Sequence, residues 1–511
     1  MNDVSPHPDA RARWWLPSLS AMIWVALFLG LTLTSARTVL ISADSDPGLH
    51  RRLGEWMIQH RAIVREDNLL HTYRGPSMAK EWLGEVLFAA AGQWLGWGGL
   101  ALLAATLIAT CFWLLHRQLL AEGCDAVIAT GLVLVAMLAC SMHWLARPLL
   151  FTHLLTLVFA WQLRWFQLGR VSARRLFALL TPLMVLWVNL HGAFMTGLVL
   201  ITMYALGSAI DAWSQSTSPA RPKLLVALLL VCGVASLANP SGWELDRHIV
   251  SFLRSRELST VTTEFTSPNF HTIGMRGFML LLFLLAVALM IIRPNPHATD
   301  VLLLGGWGCL ALVSARNVPV FALVVTPLLS QWITGFIQTH HDSQWSQRYR
   351  KWTTNITAIN RASSDAVIAA VMAGVLLLMA KPRIVGGTPL LATDFPPTRY
   401  PTVALDYVRA HPDAIHGEMF NDFLWGGYIE FSFPQRKPFI DSRNYSYGIE
   451  LVREFRTANG PKPGWERVFA KYNVGWTILP VQHPLNRILE LSPDWLLVFS
   501  NQSALVFSRV S

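Results

Sequence analysis

Two carboxylates stand close together just after the first long apolar segment of the chain. They belong to the sequence Asp44-Ser45-Asp46-Pro47-Gly48. Carboxylates two positions apart in a turn can both reach one hydroxyl or one cation, so the pair can act as a general base or as metal ligands. The same sequence is also common turn chemistry, because Asp caps helices and Pro-Gly favours turns. Asp44 and Asp46 are therefore candidates for a catalytic base, and for metal ligands if a divalent metal ion is bound.

Other polar and ionisable residues recur in the later connections between apolar segments. Arginine can hold a phosphate bidentately, and ionisable side chains at membrane depth usually mark a site or a pathway. We expect these residues to line one polar cavity together with the aspartate pair. The candidates for substrate binding are His50, Glu81, Arg147, His153, Asn189, His191, Asn239, Glu264, Arg316 and Asn317.

Each of these residues also has a purely structural interpretation. Arg147-Pro148 can be the start of a helix with an interfacial arginine, and Asn239-Pro240-Ser241-Gly242 is turn chemistry first. A single histidine such as His191 more often has a structural partner than a ligand. The functional interpretation thus depends on the whole set and not on any one member.

The composition explains why polar residues in these connections are informative. Hydrophobic residues make up 53% of the 511 positions and charged residues only 14%, whereas about a quarter of a soluble domain is charged. This excludes an ordinary soluble enzyme, a disordered protein and a disulfide scaffold, and it predicts a polytopic α-helical membrane protein. The formal charge of +10 lies entirely within residues 1–384, because residues 385–511 hold equal numbers of acidic and basic side chains. Charge between apolar segments favours membrane lipids, not nucleic acid, as partners.

Apolar segments long enough to approach the thickness of a bilayer recur over the first 380 residues. We predict about eleven membrane helices. A further segment, Leu83–Leu95, is short, and it is predicted to be interfacial, re-entrant or the first half of the next span. The eleven predicted spans are Leu16–Ile41, Gly98–Leu115, Ala126–Met142, Leu149–Phe166, Leu176–Val188, Phe194–Ala212, Leu224–Leu237, Phe278–Ile292, Val301–Val313, Val318–Ile333 and Ala366–Ala380.

Eleven crossings with a cytoplasmic N-terminus place the C-terminal region on the extracytoplasmic side. The basic loops 168–175, 214–223 and 338–365 then lie inside, as the positive-inside rule requires. A large first outer loop, 42–80, and a second, 239–276, lie on the same side as the C-terminal region. The candidate residues therefore share the extracytoplasmic face.

The pattern of the sequence changes near Gly386, after which helical and strand-like segments alternate. This predicts a small α/β domain over residues 385–511, with a linker at 386–397. We predict helices at 402–410, 448–457 and 466–472, strands at 418–421, 437–441 and 475–479, and a hairpin of 495–500 with 503–508.

The C-terminal domain also offers a candidate binding surface. Trp and Tyr are good stacking faces for sugars, and Gly426-Gly427 allows close backbone approach. The alternative is a turn packed on its own sheet. The residues of the candidate surface are Asn421, Trp425, Tyr428, Asp441 and Arg443.

Taken in order, these sequences resemble a bacterial membrane protein family of the GT-C glycosyltransferase class, and the resemblance covers nearly the whole chain. It is carried by Asp44-Ser45-Asp46 with His50 and Gly54, Glu81-Trp82-Leu83, Ala146-Arg147-Pro148 with His153, Asn189-Leu190-His191-Gly192, Asn239-Pro240-Ser241-Gly242, Glu264 before Ser267-Pro268, Ala315-Arg316-Asn317, Phe420-Asn421, Trp425-Gly426-Gly427-Tyr428 and Phe439-Ile440-Asp441-Ser442-Arg443.

The resemblance implies an integral glycosyltransferase of the bacterial inner membrane. Its donor would be a sugar on a polyprenyl phosphate or diphosphate, and its acceptor a lipid, a glycan or a protein on the extracytoplasmic face. Asp44 or Asp46 would deprotonate the acceptor hydroxyl, which attacks the anomeric carbon with inversion, while Arg147 or Arg316 holds the lipid phosphate. Protein O-mannosyltransferases have an Asp-Glu pair where this chain has Asp-Ser-Asp. The resemblance therefore leaves open which Asp is the base and whether a metal is used, and it implies no other cofactor.

Two other functions are compatible with the same residues. A transporter or flippase of lipid-linked sugars would use the same cavity and arginines, but it needs access from both faces. A non-catalytic protein of envelope polysaccharide assembly would bind through the C-terminal domain and would not need the aspartates.

Overall fold

The computed structural model describes residues 15–216, 218–255, 257, 263–380, 384–385, 388–389 and 393–510. A bundle of apolar helices makes up the larger part, and a small domain with a four-stranded sheet follows it. The helices of the first part are α1 (Leu19–Leu33), α2 (Ala36–Ser42), α3 (Asp46–His60), α4 (Trp82–Ala121), α5 (Ala126–Cys140), α6 (Leu149–Gln167), α7 (Ala173–Leu190), α8 (Met195–Ser214), α9 (Ala220–Ala235), α10 (Trp243–Arg254), α11 (Ile273–Ile291), α12 (Ala298–Val313), α13 (Val318–Thr339), α14 (Gln344–Ala362) and α15 (Ala366–Ala380).

Every predicted span coincides with one of these helices, and the first coincides with the pair α1 and α2. Seven helices in the described part of the chain are long and apolar enough to cross a bilayer: α4, α5, α6, α7, α8, α11 and α13. The pair α1 and α2, bent by 73°, would be an eighth. The other three, α9, α12 and α15, have only 16, 16 and 15 residues. The protein is thus a polytopic helical membrane protein, and the number eleven stays a prediction.

The segment Leu83–Leu95 is the first arm of α4. A break separates it from the apolar second arm, because Leu95 and Gly96 leave helical geometry and Gly96 has φ +58°. Glycine adopts this left-handed conformation without a Cβ clash. At 1.5 Å per residue, a 40-residue helix is about 60 Å long, twice the apolar thickness of a bilayer. Only part of α4 can therefore span, and the first arm is free to carry polar residues.

Backbone polar groups inside a bilayer must be satisfied within the helix, so the helix ends carry the polar contacts. Ser18 and Asp125 cap α1 and α5 by accepting hydrogen bonds from Ala21 N and Val127 N. At the α4–α5 end of the bundle, buried Arg164 lies 3.5 Å from both Glu122 and Asp300. This buried ion network joins α4, α6 and α12 at the end of the bundle remote from the aspartate pair.

The C-terminal domain has a mixed four-stranded sheet. Its strands lie side by side in the order β5 (Glu418–Asn421), β6 (Val474–Pro480), β8 (Ala504–Arg509) and β7 (Trp495–Ser500). The strand pair β5 and β6 is parallel, whereas β8 pairs antiparallel with β6 and with β7. Short two-stranded pairs occur earlier, β1 with β2 and β3 with β4. The strands are β1 (Glu66–Asp67), β2 (Gly75–Pro76), β3 (Ile384–Val385), β4 (Thr388–Pro389), β5 (Glu418–Asn421), β6 (Val474–Pro480), β7 (Trp495–Ser500) and β8 (Ala504–Arg509), and the helices are α16 (Thr402–Ala410), α17 (Gly426–Ser432), α18 (Asn444–Asn459), α19 (Trp465–Lys471) and α20 (Pro484–Leu491).

Most elements predicted for this domain are confirmed, including the terminal hairpin and the helices at 402–410, 448–457 and 466–472. The strand predicted at 437–441 is wrong, because this segment runs without strand pairing beside β5. The side chain of Asn421 takes the place of a strand partner there, accepting from Phe439 N at 2.7 Å and donating to Ile440 O at 3.0 Å. The predicted linker at 386–397 lies partly outside the described residues.

The C-terminal domain packs directly on the connection that carries the aspartate pair. Helix α17 meets the start of α3 so closely that a Cβ on Gly427 would lie 2.6 Å from Ser45 O. Tyr400 donates its hydroxyl to Ser42 O at 3.1 Å, and Arg399 donates to Ala43 O at 2.6 Å. The C-terminal domain and the aspartates therefore share one end of the helix bundle.

We expect Gly427→Ala to lower the thermal stability of the purified protein. The new methyl group would overlap Ser45 O, and overpacking of this kind costs about 1–3 kcal/mol. Gly233→Ala is the matched control, since nothing lies within 4 Å of a Cβ at that position of α9. Melting temperatures in detergent check this, and equal values for the two variants would contradict the close approach.

Candidate active site

The aspartate pair lies in a cluster with an arginine from a distant connection. Arg147 Nη1 is 3.2 Å from Asp44 Oδ2 and 3.0 Å from Asp46 Oδ2. Arg147 Nη2 donates to Glu264 Oε1. The turn before α6, the loop after α2 and the 3₁₀ turn Thr263–Phe265 thus meet at one point. The structure thus brings Asp44, Asp46, Arg147 and Glu264 into contact, and their function stays a prediction.

Backbone contacts hold the three segments in register. Ala146 N donates to Leu40 O at 2.7 Å and ties the arginine turn to α2. Ala315 N donates to Thr266 O at 2.9 Å, and Ser314 Oγ donates to Glu264 O at 3.1 Å. These bonds bring the turn Ala315–Asn317, with Arg316, beside the glutamate.

Arg316 is the more open of the two arginines. Its guanidinium lies 3.6 Å from Glu264 Oε2 and stacks over the ring of Phe265 at 5.0 Å. Its side chain is 27% exposed, whereas that of Arg147 is 10% exposed. Arg147 contacts three carboxylates and Arg316 contacts one. Of the two, Arg316 has more of its charge available to a ligand.

A second group of buried side chains lies beside the aspartates. His50 Nδ1 on α3 is 3.3 Å from Glu85 Oε1 on α4. Glu81 directly precedes α4, and its Oε1 lies 3.2 Å from Lys80 Nζ. Ligand atoms of His50, Glu81 and Glu85 all lie within 4.8 Å of one another, which is close enough to hold a metal ion after small adjustments. We call these three residues the His50 cluster.

His191 orients toward the His50 cluster as a neutral donor. Its Nδ1 accepts from Ala193 N at 3.1 Å and is bonded to the hydroxyl of Thr152 at 2.9 Å. The ring proton therefore resides on Nε2, which points at Glu81 Oε2 from 3.7 Å. At this distance Nε2 makes no hydrogen bond to Glu81, and because the ring faces it with an N–H, His191 does not fit a role as a metal ligand in this arrangement.

The remaining candidates are placed around these groups. Buried His143 lies 3.9 Å from Glu264, and the ring of His153 is 6.2 Å from that of His143. Asn189 accepts from Trp82 Nε1 at 2.7 Å and donates to Ala238 O at 2.8 Å, so it joins three segments.

Two asparagines serve local structure. Asn239 closes its own turn by accepting from Ser241 N and donating to Gly242 O. Asn317 donates to Leu310 O at 3.3 Å at the end of α12. The turn interpretation of Asn239 therefore accounts for all its hydrogen bonds described here.

The carboxyl groups of the site differ in the direction of their pKa shifts. Burial, together with the charge of Asp46, raises the pKa of Asp44 to about 7 despite the nearby Arg147. Burial alone would raise the pKa of Glu264, but the charge of Arg147 outweighs it and lowers that pKa. Burial likewise opposes protonation of His50, yet its bond to Glu85 raises its pKa. Asp44 is thus a carboxyl group poised to take up a proton near neutral pH.

Glu85 and Lys80 belong to the site, although neither was among the candidates. Glu81 and Glu85 are four residues apart, and this spacing places them on one face of a helix. That signal was available in the sequence. Nothing in the sequence distinguishes Lys80 from the other basic residues of the segment 42–80, which contains six in all.

The candidate surface on the C-terminal domain is wrong. Its residues are buried, with exposed fractions of 8% or less. Trp425 donates to Arg399 O at 3.0 Å, and Tyr428 packs on the rings of Phe395 and Tyr400. These contacts lie within the C-terminal domain, so the alternative, a turn packed on its own domain, describes the structure better. The residues concerned are Asn421, Trp425, Tyr428, Asp441 and Arg443.

Arg443 and Asp441 instead belong to a buried ion cluster. Arg443 Nη1 donates to Asp67 Oδ2 at 2.6 Å, its other nitrogens contact Asp441, and Glu430 Oε1 is 3.4 Å away. Asp67 lies in β1 of the first outer loop. The cluster therefore ties that loop to the C-terminal domain.

Comparisons with solved structures identify the architecture. The oligosaccharyltransferase of Archaeoglobus fulgidus in its apo form aligns with a TM-score of 0.55 at 14% identity, over 92% of this chain and 70% of that one. AglB of the same organism, in complex with an inhibitory peptide and a dolichol-phosphate, aligns with a TM-score of 0.52 at 12% identity, over 96% and 73%. The fold is GT-C-like.

A further solved structure, ArnT from Cupriavidus metallidurans bound to undecaprenyl phosphate, aligns over 96% of this chain and 98% of that one. Its TM-score is 0.45 at 14% identity. No protein-family model and no curated protein sequence matches the chain. At these identities the comparisons establish the fold alone.

We expect Glu430→Gln to stabilise the protein at neutral pH. Burial, with the charge of Asp441, raises the pKa of Glu430 well above its ordinary 4.5. A carboxyl group with a raised pKa in the folded state weakens stability as pH rises above its unfolded value, by up to ~1.4 kcal/mol per pH unit. The variant should match the wild type near pH 4.5 and exceed it increasingly toward pH 8 in melting temperature.

Glu454→Gln is the matched control with the opposite sign. Burial alone would raise the pKa of Glu454, but hydrogen bonds from Lys471 and Tyr472 lower it. This carboxylate stabilises the fold above its unfolded pKa, and the contribution is lost as pH falls through the folded pKa. The control should therefore be less stable at pH 7. A loss of stability in both variants would contradict a neutral Glu430.

Proposed function

We propose that the protein is a membrane glycosyltransferase that moves a sugar from a polyprenyl-phosphate-linked donor to an acceptor hydroxyl. The observation that carries the proposal is the meeting of Asp44, Asp46, Arg147, Glu264 and Arg316 at one end of a GT-C-like helix bundle. The AglB structure of similar fold contains a dolichol-phosphate and a peptide, which supports a lipid phosphate donor here. We place this end of the bundle on the extracytoplasmic side of a bacterial inner membrane, as the positive-inside pattern predicts.

Asp44 is the proposed general base. Its pKa of about 7 lets it be ionised in part at neutral pH and still hold a proton once it has taken one. The acceptor hydroxyl gives its proton to Asp44, and its oxygen forms the new bond to the anomeric carbon. The bond from that carbon to the phosphate oxygen breaks, and the lipid phosphate leaves with the electron pair. Attack opposite the leaving group inverts the anomeric configuration.

Arg316 is the proposed partner of the departing phosphate. Its charge is balanced by a single carboxylate at 3.6 Å, and its side chain is open to ligand. A guanidinium stabilises the charge that develops on a leaving phosphate oxygen. Arg147, which was the other candidate, contacts three carboxylates and has less charge to offer.

We expect Asp44→Asn to reduce sugar transfer by about 10²–10⁴-fold, because the amide cannot accept the proton. The assay is mass spectrometry of lipid-linked and surface glycans in a strain that lacks the protein and carries each variant. Asp413→Asn, an exposed position of the C-terminal domain, is the matched control and should restore the glycan. If Asp44→Asn and Asp46→Asn both restore it, a non-catalytic assembly role is the better account.

The transfer rate in isolated membranes should also rise with pH through about 7 and then level off. A base must be deprotonated to act, and the pKa of Asp44 lies there. A rate that is flat between pH 6 and 8 would exclude Asp44 as the base.

We expect Arg316→Gln to weaken the binding of undecaprenyl phosphate to the purified protein by about tenfold or more, since a hydrogen bond to a charged group is worth about 1.5–3 kcal/mol. Arg316→Lys should retain part of the affinity because it keeps the charge. Arg247→Gln, an exposed arginine of α10, is the control and should bind as the wild type does. Wild-type affinity in Arg316→Gln would remove Arg316 from the phosphate site.

A further inference from the structure

Three carboxylates and one arginine form the centre of the site. Asp44 and Asp46 come from the loop after α2, and Glu264 comes from a turn more than 200 residues later. All three face the same guanidinium, at 3.2 Å and 3.0 Å for the aspartates and in direct contact for the glutamate. We call Asp44, Asp46 and Glu264 the carboxylate triad.

Oxygen ligands of this kind are the donors that Mg²⁺, Mn²⁺ and Ca²⁺ prefer. With Arg147 in place, however, the triad does not fit a metal ion. The nearer oxygens of both aspartates face Arg147 Nη1, and the nearer oxygen of Glu264 faces Nη2. An ion bound to all three oxygens would have to occupy the volume of the guanidinium, and its charge would meet that of the arginine.

Arg147 is built into this position. The residue is 8% exposed, and its backbone N donates to Leu145 O at 2.8 Å within the turn before α6. The adjacent Ala146 N is bonded to α2 at Leu40 O. A guanidinium keeps its charge at all accessible pH values and presents several donors in one plane. It can therefore satisfy three carboxylates from two segments at once.

We infer that Arg147 is the fixed cation of the carboxylate triad and takes the place of a divalent metal ion there. It positions the aspartates and balances their charge, and it leaves Arg316 as the cation that meets the ligand. The inference concerns the charge of the site and stands on its geometry, so it holds whichever group the protein transfers.

The test measures manganese bound to the full-length protein, purified in detergent and freed of metals with a chelator. Electron paramagnetic resonance counts bound Mn²⁺ after titration with the metal alone. Wild type and Glu264→Gln should bind the same amount, because the triad holds no metal in either. Loss of one bound Mn²⁺ in Glu264→Gln would overturn the inference. Arg147 is present in both proteins of this comparison.

Removal of Arg147 tests whether the triad binds a metal ion once the arginine is absent. Arg147→Met should gain one Mn²⁺ per chain, and Mn²⁺ should raise its melting temperature, since three partly buried carboxylates lose the cation that they share. The double variant Arg147→Met/Glu264→Gln should lose that gain. Arg247→Met, on an exposed helix at the same end, should gain nothing.

The His50 cluster is a separate group that can bind manganese, and one more variant separates the two. Arg147→Met/Glu85→Gln should keep the manganese gained by removing Arg147. The inference is wrong if the additional Mn²⁺ is absent from Arg147→Met/Glu85→Gln but present in Arg147→Met/Glu264→Gln. In that case the metal binds at the His50 cluster. A folded Arg147→Met that gains no manganese would also contradict it.

Discussion

The contact of Arg147 with Asp44, Asp46 and Glu264 is the interaction on which the site depends. Three partly buried carboxylates repel one another, and burial of unpaired charge is costly. One guanidinium offsets both costs and joins its own turn to two segments that are far apart in sequence. The packing of α2, the turn before α6 and the turn Thr263–Phe265 follows from that requirement. The pKa of Asp44 is nevertheless raised, because burial and the charge of Asp46 outweigh the charge of Arg147.

The C-terminal domain is part of the same arrangement. Gly427 of the domain packs against the start of α3, and Tyr400 of the domain donates a hydrogen bond to the end of α2. A second arginine, Arg443, ties the loop 42–80 to the domain in a similar way, with one guanidinium among several buried acidic side chains. The domain therefore packs on one side of the segment that carries Asp44 and Asp46.

The two arginines of the site differ in their exposure and in their partners. Arg147 is enclosed and neutralised, whereas Arg316 is partly open and stacks over Phe265. This division is compatible with the proposed function, in which Arg316 meets the leaving phosphate while Arg147 holds the carboxylates.

Hydropathy and spacing by themselves determined the membrane class, the position of every apolar helix and most elements of the C-terminal domain. They also selected Asp44, Asp46, Arg147, Glu264 and Arg316 as functional candidates. They missed Glu85, although its spacing from Glu81 indicated a shared helix face, and they placed a strand at 437–441 where the side chain of Asn421 takes the partner's role. Only the tertiary structure decided which arginine is enclosed and which is open, and that Trp425 and Tyr428 are buried. These properties depend on contacts between segments hundreds of residues apart, and local patterns do not record such contacts.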